Sequence, residues 1–198
     1  GVLAFFIVTG GDILRPANIA WMGVGDPRQH YLGWAFFRQD EWRWPLGLNP
    51  GFGLELGSAI AFSDSLPLFA VFFKLLDPLL PPVFQYFGIW IFLCFILQAV
   101  VAWKICGLIS HDPLARAAMS GFFVFAPPML WRLHGHGSLV GHFLILAALY
   151  LSLVSRERRR SVAFAVLVCV SAAVHAYLLA MVAAIWLASL ADGVWRRN

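Results

Sequence analysis

The feature that most restricts this chain is a series of apolar runs, several of them about as long as a bilayer is thick. A spanning helix needs about 20 largely apolar residues at 1.5 Å of rise each. Phe84 to Leu108 meets that requirement with Gln85, Gln98 and Lys104 as its strong exceptions. The chain is 61% hydrophobic and 12% charged, whereas soluble domains lie nearer one half and one quarter. The excess apolar surface must face something other than water, and a lipid bilayer is the simplest partner.

The runs predict an order of spans. Residues 1–9 read as the outer end of a first span, since Val2 to Val8 is apolar but too short to cross. That stretch lacks the basic flank and cleavage site of a signal peptide. Both ends of the chain read as cut ends of a longer protein. Further spans are expected at about 84–108, 114–130, 139–154, 162–174 and 177–191. Asp112-Pro113 supplies a cap and a first-position proline for the third. Pro127-Pro128 marks its end.

The last apolar run, Val162 to Ala191, admits one long helix or two short ones. A single helix of that length would reach about 45 Å against a core of about 30 Å. Arg156, Arg158, Arg159 and Arg160 precede it, and Arg196 and Arg197 follow. Basic flanks prefer the cytoplasm, so a hairpin turning near His175-Ala176-Tyr177 is the expected form. Cytoplasmic segments 104–116, 155–161 and 192–198 then hold eight Lys and Arg against Asp112, Glu157 and Asp192. Residues 10–83 form a long extracytoplasmic loop with seven acids and five basic residues. The net charge of +4 is thus a topology signal, and no nucleic-acid partner is expected. Cys94, Cys106 and Cys169 fall inside apolar runs and read as small packing residues.

The long loop carries Trp21, Trp34, Trp42 and Trp44, with turn signals at Pro45 and Asn49-Pro50-Gly51. Tryptophan at this density fits structure at a membrane–water boundary. Ser65 to Asp77 reads as a helix whose apolar face is Leu66, Phe69, Ala70, Phe73 and Leu76, suited to lying on a membrane surface. The fold class expected is therefore an all-α polytopic membrane protein. It is a multi-helix bundle with a long, structured first extracytoplasmic loop containing short interfacial helices.

Under this topology most ionisable groups gather at one face. His30, His134, His136, His142 and His175 map there, joined by Asp26, Asp40, Glu41, Glu55 and Asp64; His111 alone of the histidines maps opposite. The stretch GDPRQHYLGWAFFR predicts a helix starting at Asp26. Asp followed by Pro and Gln is a good start signal, so Asp26 is either a cap or a reactive carboxylate. His30 one turn on, with Arg28 and Arg38 nearby, favours chemistry. Asp64 likewise reads as a helix cap or as a second carboxylate for a substrate or metal. Arg132, His134 and His136 are either polar turn residues or a phosphate site. The His-x-His pair is also a metal pattern, but no carboxylate stands beside it. His142 lies just inside a span, where an ionisable group is a functional candidate. His175 is either a polar turn residue or part of the same site.

The stretches GDPRQHYLGWAFFR, PLGLNPGFG, FSDSLPLFAVFFK and FQYFGIW resemble an uncharacterised bacterial membrane-protein family placed near the GT-C-type polytopic membrane glycosyltransferases. The resemblance covers nearly the whole chain. It implies a multi-pass protein of the inner, cytoplasmic membrane that takes a sugar from a polyprenyl-phosphate donor at the extracytoplasmic face. It also implies that Asp26 is the general base, although many members carry two adjacent acids where Asp26 is followed by Pro27. In that chemistry a carboxylate removes the acceptor's hydroxyl proton, and cationic groups stabilise the leaving phosphate. Arg132 or Arg28 is the expected phosphate ligand, with His134 or His136 as helpers, and an apolar groove holds the prenyl chain. The cofactor is left open, with a divalent metal as the candidate. Two other classes compete: a transporter or flippase of lipid-linked precursors, and a non-enzymatic envelope assembly protein.

Overall fold

A computed structural model describes residues 1–154 and 157–195. Arg156, Arg196 and Arg197, expected to be basic flanks, lie outside the described residues. Nearly all regular structure is helical. The elements are α1 (Val2–Thr9), α2 (Asp26–Gln39), a two-stranded ribbon β1 (Leu48–Asn49) and β2 (Ser58–Ala59), and α3 (Pro67–Leu75). They continue with α4 (Phe87–Cys106), α5 (Pro113–Val124), α6 (Pro127–Arg132), α7 (Phe143–Val154), α8 (Glu157–Val174) and α9 (Ala176–Trp195). The ribbon is antiparallel, with Leu48 opposite Ala59.

Three helical stretches are long and apolar enough to cross a membrane: α4, residues Gly137–Val154 and α9. The 18-residue middle one is a 3-10 turn at Gly137–Val140 running into α7. Helix α4 is central, packing against α1, α5 and α7, and α7 in turn packs on α8 and α9.

The chain between α4 and α7 is not the single span expected at 114–130. Helix α5 has 12 residues, about 18 Å of rise, and ends at Val124. Ala126 is extended before Pro127, because a residue preceding proline is pushed out of the helical region; Pro127 then opens α6. The broken pair still runs antiparallel to α4. Arg116 donates to the Trp103 carbonyl (2.9 Å), Gln98 to the Phe123 carbonyl (3.1 Å), and the Trp90 indole to the Gly137 carbonyl (2.8 Å).

Helices α8 and α9 double back at His175. Phe164 and Trp186, each eleven residues from that turn, stack at 6.1 Å. The apolar part of α8, Ser161–Val174, is shorter than a full span.

Residues 10–83 are held on the starting end of α4 by buried aromatics and by polar staples. Tyr86 stacks on Phe73 (5.3 Å) and meets Trp34 edge-on (5.0 Å). The Trp34 indole donates to the Phe84 carbonyl at 3.0 Å. The Gln85 amide donates to the carbonyls of Ile13 (2.8 Å) and Arg15 (3.1 Å). Gly88 lies so close to the Ile13 carbonyl that a Cβ would collide with backbone. Lys74 is buried, donating to the Phe37 carbonyl at 2.6 Å with its ammonium 4.2 Å from the Phe37 ring centroid. Helix α3 buries Ala70 and packs Phe69 and Phe73 inward, leaving Leu68, Phe72 and Leu75 exposed. Both faces of this helix are therefore apolar.

Candidate functional site

Asp26 and Asp112 both precede a proline at a helix start, and their carboxylates do different work. Asp112 caps α5, accepting from the amides of Leu114 (3.2 Å) and Ala115 (3.1 Å). In α2 the cap position belongs to Gly25, whose φ of 68° favours glycine. The Gly25 carbonyl takes the amides of Arg28 (3.1 Å) and Gln29 (3.4 Å). Asp26 is thereby shifted into the first turn, and its carboxylate makes no capping bond. It stands half-exposed, with Oδ2 3.7 Å from His136 Nδ1. Gly135 lies beside the same oxygen, where a Cβ would sit 3.4 Å away in ordinary contact.

One turn along α2, His30 is buried at 3% exposure. Its Nε2 is 3.8 Å from Asp64 Oδ2, and its ring lies 6.4 Å from Phe87. Asp64 sits in a left-handed turn (φ 52°) that ends the 3-10 stretch Ile60–Ser63. It caps nothing; α3 has no side-chain cap. The turn is locked by its flanking serines. The Ser63 and Ser65 hydroxyls are 2.8 Å apart, and Ser65 donates to the His30 carbonyl at 2.6 Å. Tyr86 donates to the Ser65 carbonyl. Gly33 makes this seat possible, because a Cβ on α2 there would strike both serine hydroxyls.

The other Asp64 oxygen, Oδ1, accepts from His175 Nε2 at 3.0 Å. His175 Nδ1 accepts from the Tyr177 amide at 3.1 Å. Burial pushes the His30 pKa below its ordinary value, against the pull of the Asp64 and Asp26 charges. Burial therefore favours the neutral ring of His30. For Asp64, burial alone would raise the pKa. The hydrogen bond from His175 and the charges of His175, His30 and His136 outweigh it, and the carboxyl lies below its ordinary value.

The fold thus brings together Asp26, His30, Asp64, His136 and His175 from four separate stretches of chain. All three membrane-length helices start here: α4 near Phe87, the second at Gly137 beside His136, and α9 directly after His175. A narrow cleft lined by Trp21, His30, Trp90 and Leu133 lies alongside. The remaining candidates stand elsewhere or apart. Arg38, at the far end of α2, pairs with Asp77 and donates to the carbonyls of Pro81 (2.9 Å) and Pro82 (3.2 Å). It is a staple within residues 10–83. Arg28 is exposed on α2 and His134 is exposed with its ring 6.2 Å from Trp131. Arg132 ends α6 half-buried, and His142 follows the 3-10 turn, also half-buried.

Sequence reasoning missed the supports. Ser63, Ser65 and Tyr86 shape the Asp64 turn, Tyr177 fixes the His175 ring, and Trp90 pins the turn carrying His136. None carries a local signal, since each acts on a residue's backbone or through its own. Among the described residues no group of three or more His, Cys, Asp or Glu is placed to hold a metal ion. Both nitrogens of His175 are already engaged, which removes it as a ligand in this arrangement.

The chain is thus a nearly all-α protein with three helices fit to cross a membrane and a carboxylate–histidine cluster at their common end. It belongs to the family described as "Domain of unknown function (DUF6311)", whose profile matches residues 1–198. Comparison with curated proteins and with solved structures gave no match.

Proposed function

We propose that this chain is the membrane domain of a GT-C-like transferase that moves a sugar from a polyprenyl phosphate to an acceptor at the extracytoplasmic face of the inner membrane. The carrying observation is the Asp26 carboxylate, which is spared from capping, half-exposed and set against His136. Asp26 takes the acceptor's hydroxyl proton; the oxygen attacks the anomeric carbon as its bond to phosphate breaks. The lipid phosphate leaves with the bonding pair, with His136 beside it and Arg28, Arg132 and His134 as the donors nearest in sequence to the cluster. Three helix N-termini converging on the site add positive dipole ends, which favour an anionic donor. An apolar groove between α3 and α4, lined by Leu68, Phe69, Phe72, Phe73, Ile89 and Leu93, suits a prenyl chain.

The same reading makes the protein multi-pass. The antiparallel return of α5 and α6 along α4 supports this, as does the α8–α9 hairpin. Residues 10–83 are then the first extracytoplasmic loop. The test is transfer from a short-chain prenyl-phosphate sugar in membranes carrying the protein, wild type against Asp26→Asn. Asparagine keeps the shape and removes the base, so activity should fall by about 100-fold or more. Undiminished transfer by the variant would remove Asp26 as the base.

A further inference from the structure

Beside the Asp26 carboxylate, three ionisable side chains from three segments stand in line: His175, Asp64 and His30. A ring nitrogen that accepts a hydrogen bond carries no proton. His175 Nδ1 accepts from the Tyr177 amide (3.1 Å), so the proton of its neutral ring is on Nε2. It is donated to Asp64 Oδ1 at 3.0 Å. This bond fixes one carboxylate oxygen and leaves the other facing His30 Nε2 at 3.8 Å. We propose that His30 and Asp64 form a proton-handling carboxylate–imidazole dyad, and that His175 is the positioning residue that aims Asp64 at it.

Burial of an imidazole disfavours its charged form, and a carboxylate close by favours it. The Asp64 oxygen stands at ion-pair distance from His30 Nε2 and not at hydrogen-bond distance. The arrangement is therefore set for a charge that His30 does not yet carry. In the neutral ring Nε2 holds its proton toward Asp64, and Nδ1 is the accepting atom. A proton arriving at Nδ1 makes an imidazolium, and Asp64 stays ionised to stabilise it. The groups facing His30 are Asp64 from the turn before α3, Asp26 from its own helix, His136 from the turn after α6, and His175. The two carboxylates favour the imidazolium, whereas burial and the two histidines oppose it. Proton affinity at His30 is then set by where Asp64 points. The dyad does not depend on the sugar-transfer reading.

The experiment is an NMR titration of isotope-labelled histidines, with the chain in lipid nanodiscs and no substrate. His111, exposed in the turn before α5, is the internal control. Asp64→Asn keeps the left-handed turn, which asparagine adopts readily, and should move the His30 midpoint to lower pH. His175→Leu should move it the same way, because Asp64 is no longer aimed. Loss of a merely electrostatic neighbour predicts the opposite, a rise. An unchanged or raised His30 midpoint in His175→Leu, with His111 unmoved, overturns the positioning role; an unchanged midpoint in Asp64→Asn overturns the dyad. In the wild-type protein the nitrogen shifts of His175 should report the Nε2-protonated ring. A dominant Nδ1-protonated ring overturns the geometry without any variant.

Discussion

A carboxylate at the start of a helix is drawn to the unpaired amides there, and a cap contributes about 0.5–2 kcal/mol. Asp112 makes those bonds and Asp26 does not. Asp112→Ala should therefore cost roughly that amount of stability, and Asp26→Ala distinctly less, as read by thermal unfolding in one detergent. Equal losses would mean that Asp26 caps after all and is not free for chemistry. The ionisable neighbours give a second expectation, on pH. The His30 pKa in the folded protein lies below its ordinary 6.5, so the unfolded chain binds the proton first. Its contribution to stability is complete above pH 6.5 and is lost as pH falls below that value. Asp64 is lowered from 3.8, so its contribution is lost in a separate step below that pH. Unfolding midpoints measured against pH should fall in these two stages. His30→Gln should shrink the upper stage most and also weaken the lower one, because the His30 charge helps hold the Asp64 carboxyl down.

At the scale of elements, close approach decides where helices sit. Gly33 lets α2 lie against the serines that frame Asp64, and Gly121 in α5 faces open space. Gly33→Ala should destabilise by about 1–3 kcal/mol, as overpacking does, and should also shift the His30 titration because the Asp64 turn must move. Gly121→Ala should be neutral or stabilising by up to about 1 kcal/mol. A neutral Gly33→Ala in thermal unfolding would contradict the packing described. These contacts also mark where reading the sequence stops. An apolar run of spanning length set α4, basic flanks set the α8–α9 hairpin although α9 runs longer than the short span expected at 177–191, and Asp-Pro set the starts of α2 and α5, because helix starts and hydropathy are local properties. The end of α5 at Val124 was less legible. Pro127-Pro128 looked like a span's end but opens a second short helix. Arg38 looked like a site residue from its nearness to Asp26. Its partner Asp77 is 39 positions away, and no local pattern announces it. The histidines of the site were visible as polar residues at span ends, yet the pairing of Asp64 with His175 is long-range and came only with the fold.

At the scale of the whole molecule, the contacts constrain topology more tightly than charge counting does. Asp26 meets His136, Asp64 meets His175, and Trp90 reaches the Gly137 carbonyl. Positions 26, 64, 135 and 176 must then lie on one side of any membrane the protein crosses. The turn carrying His111 follows the far end of α4, about 30 Å away along a 20-residue helix. Single cysteines at these positions, in a background lacking Cys94, Cys106 and Cys169, should label as one group with a membrane-impermeant reagent on intact cells. A cysteine at 111 or 158 should label only after the membrane is opened. A split within the group of four would contradict the fold itself, because no single membrane plane separates residues in contact. The whole group labelling only after opening would leave the fold intact but invert it. The cluster would then face the cytoplasm, and transfer from an extracytoplasmic lipid donor would fail as its function. The His30–Asp64 dyad would survive that result, since its geometry is indifferent to which side it faces.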